Sequence, residues 1–180
     1  MARTRAGLLD GARRAVARQG TRRTTMHDIA SQAGVAKATL YNHFRTKDDV
    51  WSALVAAEVD QLAQECAGLP LAGALSHAAT RLSAHPGLRR VASTEPAVLA
   101  RLLLTDPPAA GWQAARDATR RQLAAANRCG DDLVLRWLTS FLVCPGQPDA
   151  IRLAAECLAA ALPTGAAPAR PRPDPDHAGQ

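Results

Sequence analysis

Two four-residue sequences dominate what this chain can fold into: Thr25-Met26-His27-Asp28 and Thr46-Lys47-Asp48-Asp49. In each, the threonine hydroxyl can accept the N–H of the residue three positions on, while that residue's carboxylate reaches back to the threonine N–H. Both therefore start helices. Between them, Gly34 supplies the left-handed residue that commonly closes a helix. The interval has room for a short helix from Thr25 and another near 36–43 before a further one begins at Thr46. Asp48 adds a second carboxylate at the positive end of that helix.

The flanks extend this reading. Leu8, Ala12, Ala15 and Val16 recur at helical spacing, Arg13, Arg14 and Arg18 take the other side, and Gly20 closes this first helix. Ile29, Ala30 and Ala33 give the helix begun at Thr25 its inner side. The helix from Thr46 turns Val50, Leu54, Ala57 and Leu62 inward and meets no Gly or Pro before about residue 65, so it should tie this head rigidly to the remainder. Beyond it, Ala and Leu dominate, while β-branched and aromatic residues are few, a bias toward helix over sheet. Breakers divide the rest into helices near 71–84, 87–93, 95–104, 109–128, 131–143 and 149–162. Glu95-Pro96 opens one of these, and Asp106-Pro107-Pro108 forms a loop. The expected chain is all-α, with domains 1–50 and 51–163 and a Pro-rich, aperiodic tail, 164–180, that reads as disordered.

Charge points to a partner. Residues 1–51 hold ten Lys+Arg against four Asp+Glu, and residues 52–180 hold twelve of each, so the whole net charge of +6 sits in the head. A basic unit on a neutral body suits a polyanion. No apolar run reaches the roughly 18–20 residues of a membrane span, and no apolar signal core follows Arg3 and Arg5, so no membrane partner is expected. Cys66, Cys129, Cys144 and Cys157 lack metal-like spacing and read as reduced core residues of a cytoplasmic protein. The chain has no Gly-rich phosphate loop and no Ser/His/Asp or Cys/His pair that can be placed together. Enzyme activity, a metal and a cofactor are therefore not expected.

Helix, Gly turn and helix across 25–43 is the spacing of a helix-turn-helix, whose second helix enters the major groove of double-stranded DNA. On a wheel of residues 35–44 centred on Leu40, Ala36 and Phe44 fall within about 40° of the inner side. Ala38 and Asn42 point nearly opposite, with Thr39 and Tyr41 on the flanks. Such small, hydroxyl and amide groups suit close approach to base edges and phosphates. Lys37 can reach a groove floor or a phosphate. Lys47 with the N–H groups at its helix start makes a second phosphate site, and Thr25 does the same at its own. Phe44 and Trp51 go to the core, which leaves Tyr41 as the aromatic assigned to nucleic acid.

The run TTMHDIASQAGVAKATLYNHFRTKDDVWSAL, residues 24–54, resembles the DNA-binding domain of TetR-family transcriptional regulators. Thr24-Thr25, Asp28-Ile29-Ala30, Ala33-Gly34-Val35, Thr39-Leu40-Tyr41, His43-Phe44 and Lys47 carry the likeness, which covers about residues 6–55. The resemblance implies an N-terminal three-helix helix-turn-helix domain and a C-terminal helical domain that binds a small-molecule effector and forms a homodimer through its last two long helices. It implies base contact by Lys37 and Ala38, with Asn42 a further candidate. Thr25, Thr39, Tyr41, His43 and Lys47 fall at positions that contact phosphates or orient those contacts. Ala38 offers thymine only a methyl contact, so specificity leans on DNA shape.

In the implied body, helices 131–143 and 149–162 of two subunits form a four-helix bundle using Leu135, Trp137, Leu138, Phe141, Leu142 and Leu158. Leu103 and Trp112 are the candidates for lining an effector pocket, and His77 and Arg81, one turn apart, are a candidate anion pair. The function so implied is a ligand-responsive repressor of a palindromic DNA operator. Its alternatives are a dimeric DNA-binding protein without an effector, or an activator.

Overall fold

The computed structural model describes residues 2–97 and 110–165, and for residues 2, 3 and 110 the backbone alone. Among the described residues nine helices follow in order: α1 Ala2–Arg23, α2 Met26–Ala33, α3 Lys37–His43, α4 Lys47–Cys66, α5 Leu71–Ala84, α6 Pro86–Thr94, α7 Ala110–Ala125, α8 Asp131–Val143 and α9 Pro148–Ala161. The helix expected near 95–104 and the loop at 106–108 lie mostly or wholly outside the described residues.

Both capping boxes form as the sequence predicts. Thr25 accepts the Asp28 N–H, and Thr46 accepts the Asp49 N–H, with each carboxylate returning to the threonine N–H. Gly34 stands in the left-handed region at φ 68°, ψ 31°, and Val35 N–H reaches back to the Ala30 carbonyl at 3.0 Å. That is the helix stop in which a side chain at the left-handed residue would be strained.

The head closes around Leu8, Leu9, Ala12, Ala15, Ile29, Ala30, Leu40, Phe44 and Val50, with Trp51, Leu54 and Ala57 packed on the same cluster. Leu8, Ile29, Leu40 and Val50 are wholly buried. Each such side chain stabilises the head by roughly 1.5–3 kcal/mol relative to exposure. Helix α4 belongs to two cores. Its first half completes the head, while Leu62 and Cys66 pack with Ala74 and Ala78 of α5. At 20 residues it spans about 30 Å without a break.

Helix α5 is the spine of the body. Its buried Leu75 joins Leu123 of α7, Val134 of α8, Ala155 of α9 and Leu162, which closes α9. The stretch after α9 is tied down by backbone pairing: Cys129 N–H donates to the Pro163 carbonyl at 3.0 Å, and Thr164 bridges Arg128. Residues 166–180, the bulk of the Pro-rich segment, fall outside the described residues. Two cysteines depart from expectation. Cys66 and Cys129 are buried, but Cys144 and Cys157 are exposed, because Cys144 sits at the end of α8 and Cys157 on the outer side of α9. Among the described residues no helix is long and apolar enough to cross a membrane.

Candidate nucleic-acid interface

Helix α3 divides as its phase requires. Leu40 is wholly buried and Phe44, its closing residue, is 4% exposed. Lys37, Ala38, Tyr41 and Asn42 are exposed, and Thr39 and His43 are half-buried on the flanks. Tyr41 is 44% exposed, too open for a core aromatic, and the Lys37 ammonium lies over its ring at 5.7 Å from the centroid. This cation–π contact orients the lysine at the first turn of the helix. Residues 37–42 thus present a cation, a methyl, a phenol and an amide on one short exposed helix.

The starts of α2 and α4 flank this helix in sequence. Exposed Arg22 and Arg23 precede the Thr25 cap, and exposed Arg45 precedes the Thr46 cap. The box carboxylates are held below their ordinary range, Asp28 by hydrogen bonds from the Thr25 N–H and hydroxyl, and Asp49 by those from Thr46. They therefore stay ionised and committed to their caps.

Lys47 differs from the others. Its ammonium is half-buried and donates to the Thr21 carbonyl at 3.2 Å, tying the start of α4 to the last turn of α1. Arg13 and Arg14 are also engaged within the protein: Arg13 binds Glu58 at 2.6 Å and Asp10 at 3.0 Å, and Arg14 pairs with Asp10. Part of the basic excess of the head thus serves internal structure, and Lys37, Arg22, Arg23 and Arg45 remain at the surface. Arg5 lies over Phe44 at 5.4 Å, a contact that nothing in the spacing of the sequence indicates.

Sites expected in the body are distributed differently. Trp112 is half-buried on α7, and Leu103 lies outside the described residues. His77 and Arg81 do come together, but on Glu65 of α4, at 2.8 Å and 3.0 Å, so the candidate anion pair already has its carboxylate. Of the residues expected between subunits, Leu135 is 5% exposed, Trp137 and Phe141 pack edge to face at 5.0 Å, and Leu138, Leu142 and Leu158 are half-buried. Large exposed aliphatics on the same helices are Leu133, Val143 and Leu153. Among the described residues no group of His, Cys, Asp and Glu could hold a metal ion.

A short exposed helix carrying polar groups, set by a left-handed glycine against a buried three-helix core, defines a helix-turn-helix DNA-binding protein. Comparison with known proteins gives the family. Residues 8–54 match the family described as bacterial regulatory proteins, tetR family. Over 155 residues the chain is 31% identical to the HTH-type transcriptional regulator Rv1255c of Mycobacterium tuberculosis, covering 79% of this chain and 76% of that protein. The fold is similar to that of the TetR family repressor AlkX from Dietzia, at a TM-score of 0.60 and 20% identity, covering 87% and 93% of the two chains. It is also similar to the regulator FadR from Bacillus subtilis, solved in complex with stearoyl-CoA, at a TM-score of 0.52 and 16% identity over 87% and 97%. The chain belongs to the TetR family of DNA-binding transcriptional regulators.

Proposed function

We propose that the protein is a repressor that binds a palindromic operator as a homodimer and is released by a small-molecule effector. It acts by binding alone, in the bacterial cytoplasm. The observation that carries the reading is the division of α3, with Leu40 wholly buried and Lys37, Ala38, Tyr41 and Asn42 exposed on one helix. Lys37, Ala38 and Asn42 would meet bases, and Thr25, Thr39, Tyr41 and His43 would contact or orient phosphates. Lys47 would act chiefly through Thr21, with any phosphate contact made from that position.

Residues 1–50 would form the DNA-binding domain and 51–163 the dimerisation and effector domain. Leu133, Val143 and Leu153 expose 52%, 62% and 59% of their surface on α8 and α9, more apolar area than a lone subunit favours. A second subunit packed there would cover them, with Trp137, Leu138, Phe141, Leu142 and Leu158 at the margin and Leu135 supporting from beneath. Two heads could then span the roughly 34–36 Å between successive major grooves. Trp112 is the candidate for lining an effector pocket, with Leu103 a further one. AlkX is a repressor and FadR was solved with stearoyl-CoA, which supports repression and a small-molecule effector for this chain.

The test selects DNA from genomic fragments with the full-length protein, then measures binding to the recovered site. Tyr41→Ala should weaken binding about tenfold with an unchanged melting temperature, and Leu153→Asp should convert a dimer to a monomer on sedimentation. Recovery of no preferred site would overturn the reading. Activation of a reporter in place of repression would make the protein an activator. Unchanged operator affinity across a library of small molecules would leave a dimeric DNA-binding protein without an effector.

A further inference from the structure

The residue that closes α6 is Glu95, 6% exposed and the one charged residue buried among the described residues. It does not face the body. It receives the Arg22 N–H at 3.0 Å and 3.2 Å, one on each oxygen, together with the Thr21 hydroxyl. Arg22 lies just beyond Gly20, where α1 is broken at φ 80°, ψ 176° and a new turn, 21–23, begins. A new turn starts with N–H groups that have no partner within the helix, and Glu95 satisfies one of them from 73 residues away. A Cβ at Gly20 would collide with this carboxylate, and the positive φ would strain any side chain there.

The same turn is held from two other directions. The Lys47 ammonium takes the Thr21 carbonyl at 3.2 Å, and the wholly buried Thr24 hydroxyl donates to the Gly20 carbonyl at 2.6 Å. One residue later Thr25 caps α2, the helix that carries α3 through the Gly34 turn. The path from Glu95 to the DNA-facing helix is therefore short and consists of hydrogen-bonded backbone.

We propose that Glu95 is a positioning residue for operator binding: a carboxylate of the body that fixes the last turn of α1, residues 21–23, and so sets the head at a defined angle on the body. It adds a directional tether to the continuous helix α4, the Arg13–Glu58–His85 cluster and the Val16–Val91 contact. This inference rests on the reading of the protein as a dimer that engages two half-sites. A head that loses the Glu95 contact still folds, because its core of Leu8, Ile29, Leu40 and Val50 does not include Glu95. It still reads one half-site. What it loses is the fixed separation of two heads, so binding to the full palindrome bears the cost of ordering them.

The experiment compares wild type, Glu95→Ala, Glu95→Gln and Thr21→Val, all full-length, on the selected operator and on the same fragment with one half-site scrambled. Amide hydrogen exchange at Arg22 is followed without DNA. Glu95→Ala should speed Arg22 exchange at least tenfold, raise the operator Kd about tenfold and change the half-site Kd less than twofold. Glu95→Gln, which keeps an acceptor for the Arg22 N–H, should recover most of the operator affinity. Thr21→Val, which leaves that N–H bonded, should weaken operator binding by a smaller factor and serves as the test if Glu95→Ala does not fold. Equal loss on operator and half-site would reduce Glu95 to a structural role and overturn the proposal, as would unchanged exchange at Arg22. Failure of the wild type to select any DNA would instead sink the operator-binding reading itself.

Discussion

The three-helix head closes over a dry core of Leu8, Ile29, Leu40 and Val50, whereas the joint that seats it on the body is largely polar. At the joint Arg13 of α1, Glu58 of α4 and His85 at the start of α6 meet in one place, and Thr21, Arg22 and Glu95 in another, beside an apolar cluster of Val16 and Val91 with Trp51, Ala92 and Leu142. The two regions do different work. Apolar burial is nondirectional and makes the head stable in itself. Charged hydrogen bonds are directional, and they fix an orientation between helices that apolar packing alone would leave loose. His85 shows the geometry: its Nδ1 accepts the Leu88 N–H at 3.2 Å, so its proton lies on Nε2, facing Glu58 at 3.3 Å. One imidazole caps α6 and ties it to α4.

The sharpest break of this comparison is Leu40→Ala. It empties the centre of the head and should cost about 2–5 kcal/mol, with loss of DNA binding, as read by chemical denaturation. A cost below about 1 kcal/mol would mean that Leu40 is not the inner residue of α3.

Acid should act on the joint next. Hydrogen bonding from His85, and then the Arg13 guanidinium, hold the Glu58 carboxyl down at about 2 from an ordinary 4.5, against the upward push of burial. A depressed carboxyl contributes stability that is fully present above pH 4.5 and is lost as pH falls toward 2. The loss is at most about 3 kcal/mol. Denaturation between those values should therefore show falling stability in wild type and a flatter profile in Glu58→Gln; parallel profiles would remove Glu58 from the joint's electrostatics.

Thr46→Ala takes away the hydroxyl that caps α4 and should cost about 1 kcal/mol, in the head rather than the joint. Smallest is Lys47→Met, which loses the bond to the Thr21 carbonyl at a cost of about 0.5 kcal/mol, the low end for a half-exposed donor. Its salt dependence of operator binding separates two roles. An unchanged slope assigns Lys47 to the joint; a slope shallower by about one per lysine returns it to a phosphate.

The head was legible in the sequence because its signals are local. Thr25 and Asp28, Thr46 and Asp49, and the stop at Gly34 each act within one helical turn, and the phase of Leu40 against Tyr41 needs only the geometry of a helix. Lys47 marks the limit of that reading. Its position beside a helix start suggested phosphate, and the carbonyl it binds belongs to a residue 26 positions away. The cysteines make the same point, since the apolar helices bearing Cys66 and Cys157 look alike and only packing buries one and leaves the other open.

By itself the sequence determined the elements, their caps, the exposed side of α3 and the concentration of charge at the head, all consequences of interactions between residues a few positions apart. The tertiary structure alone decided how that head is held. Glu95 next to Pro96 reads as the opening of a helix, and residues 96–97 are helical, but nothing local shows that its carboxylate also closes the turn at Arg22, 73 residues earlier. No periodicity encodes such a pair, because an isolated buried carboxylate finds its donors only after α1 and α6 have packed and excluded the water that would otherwise solvate it.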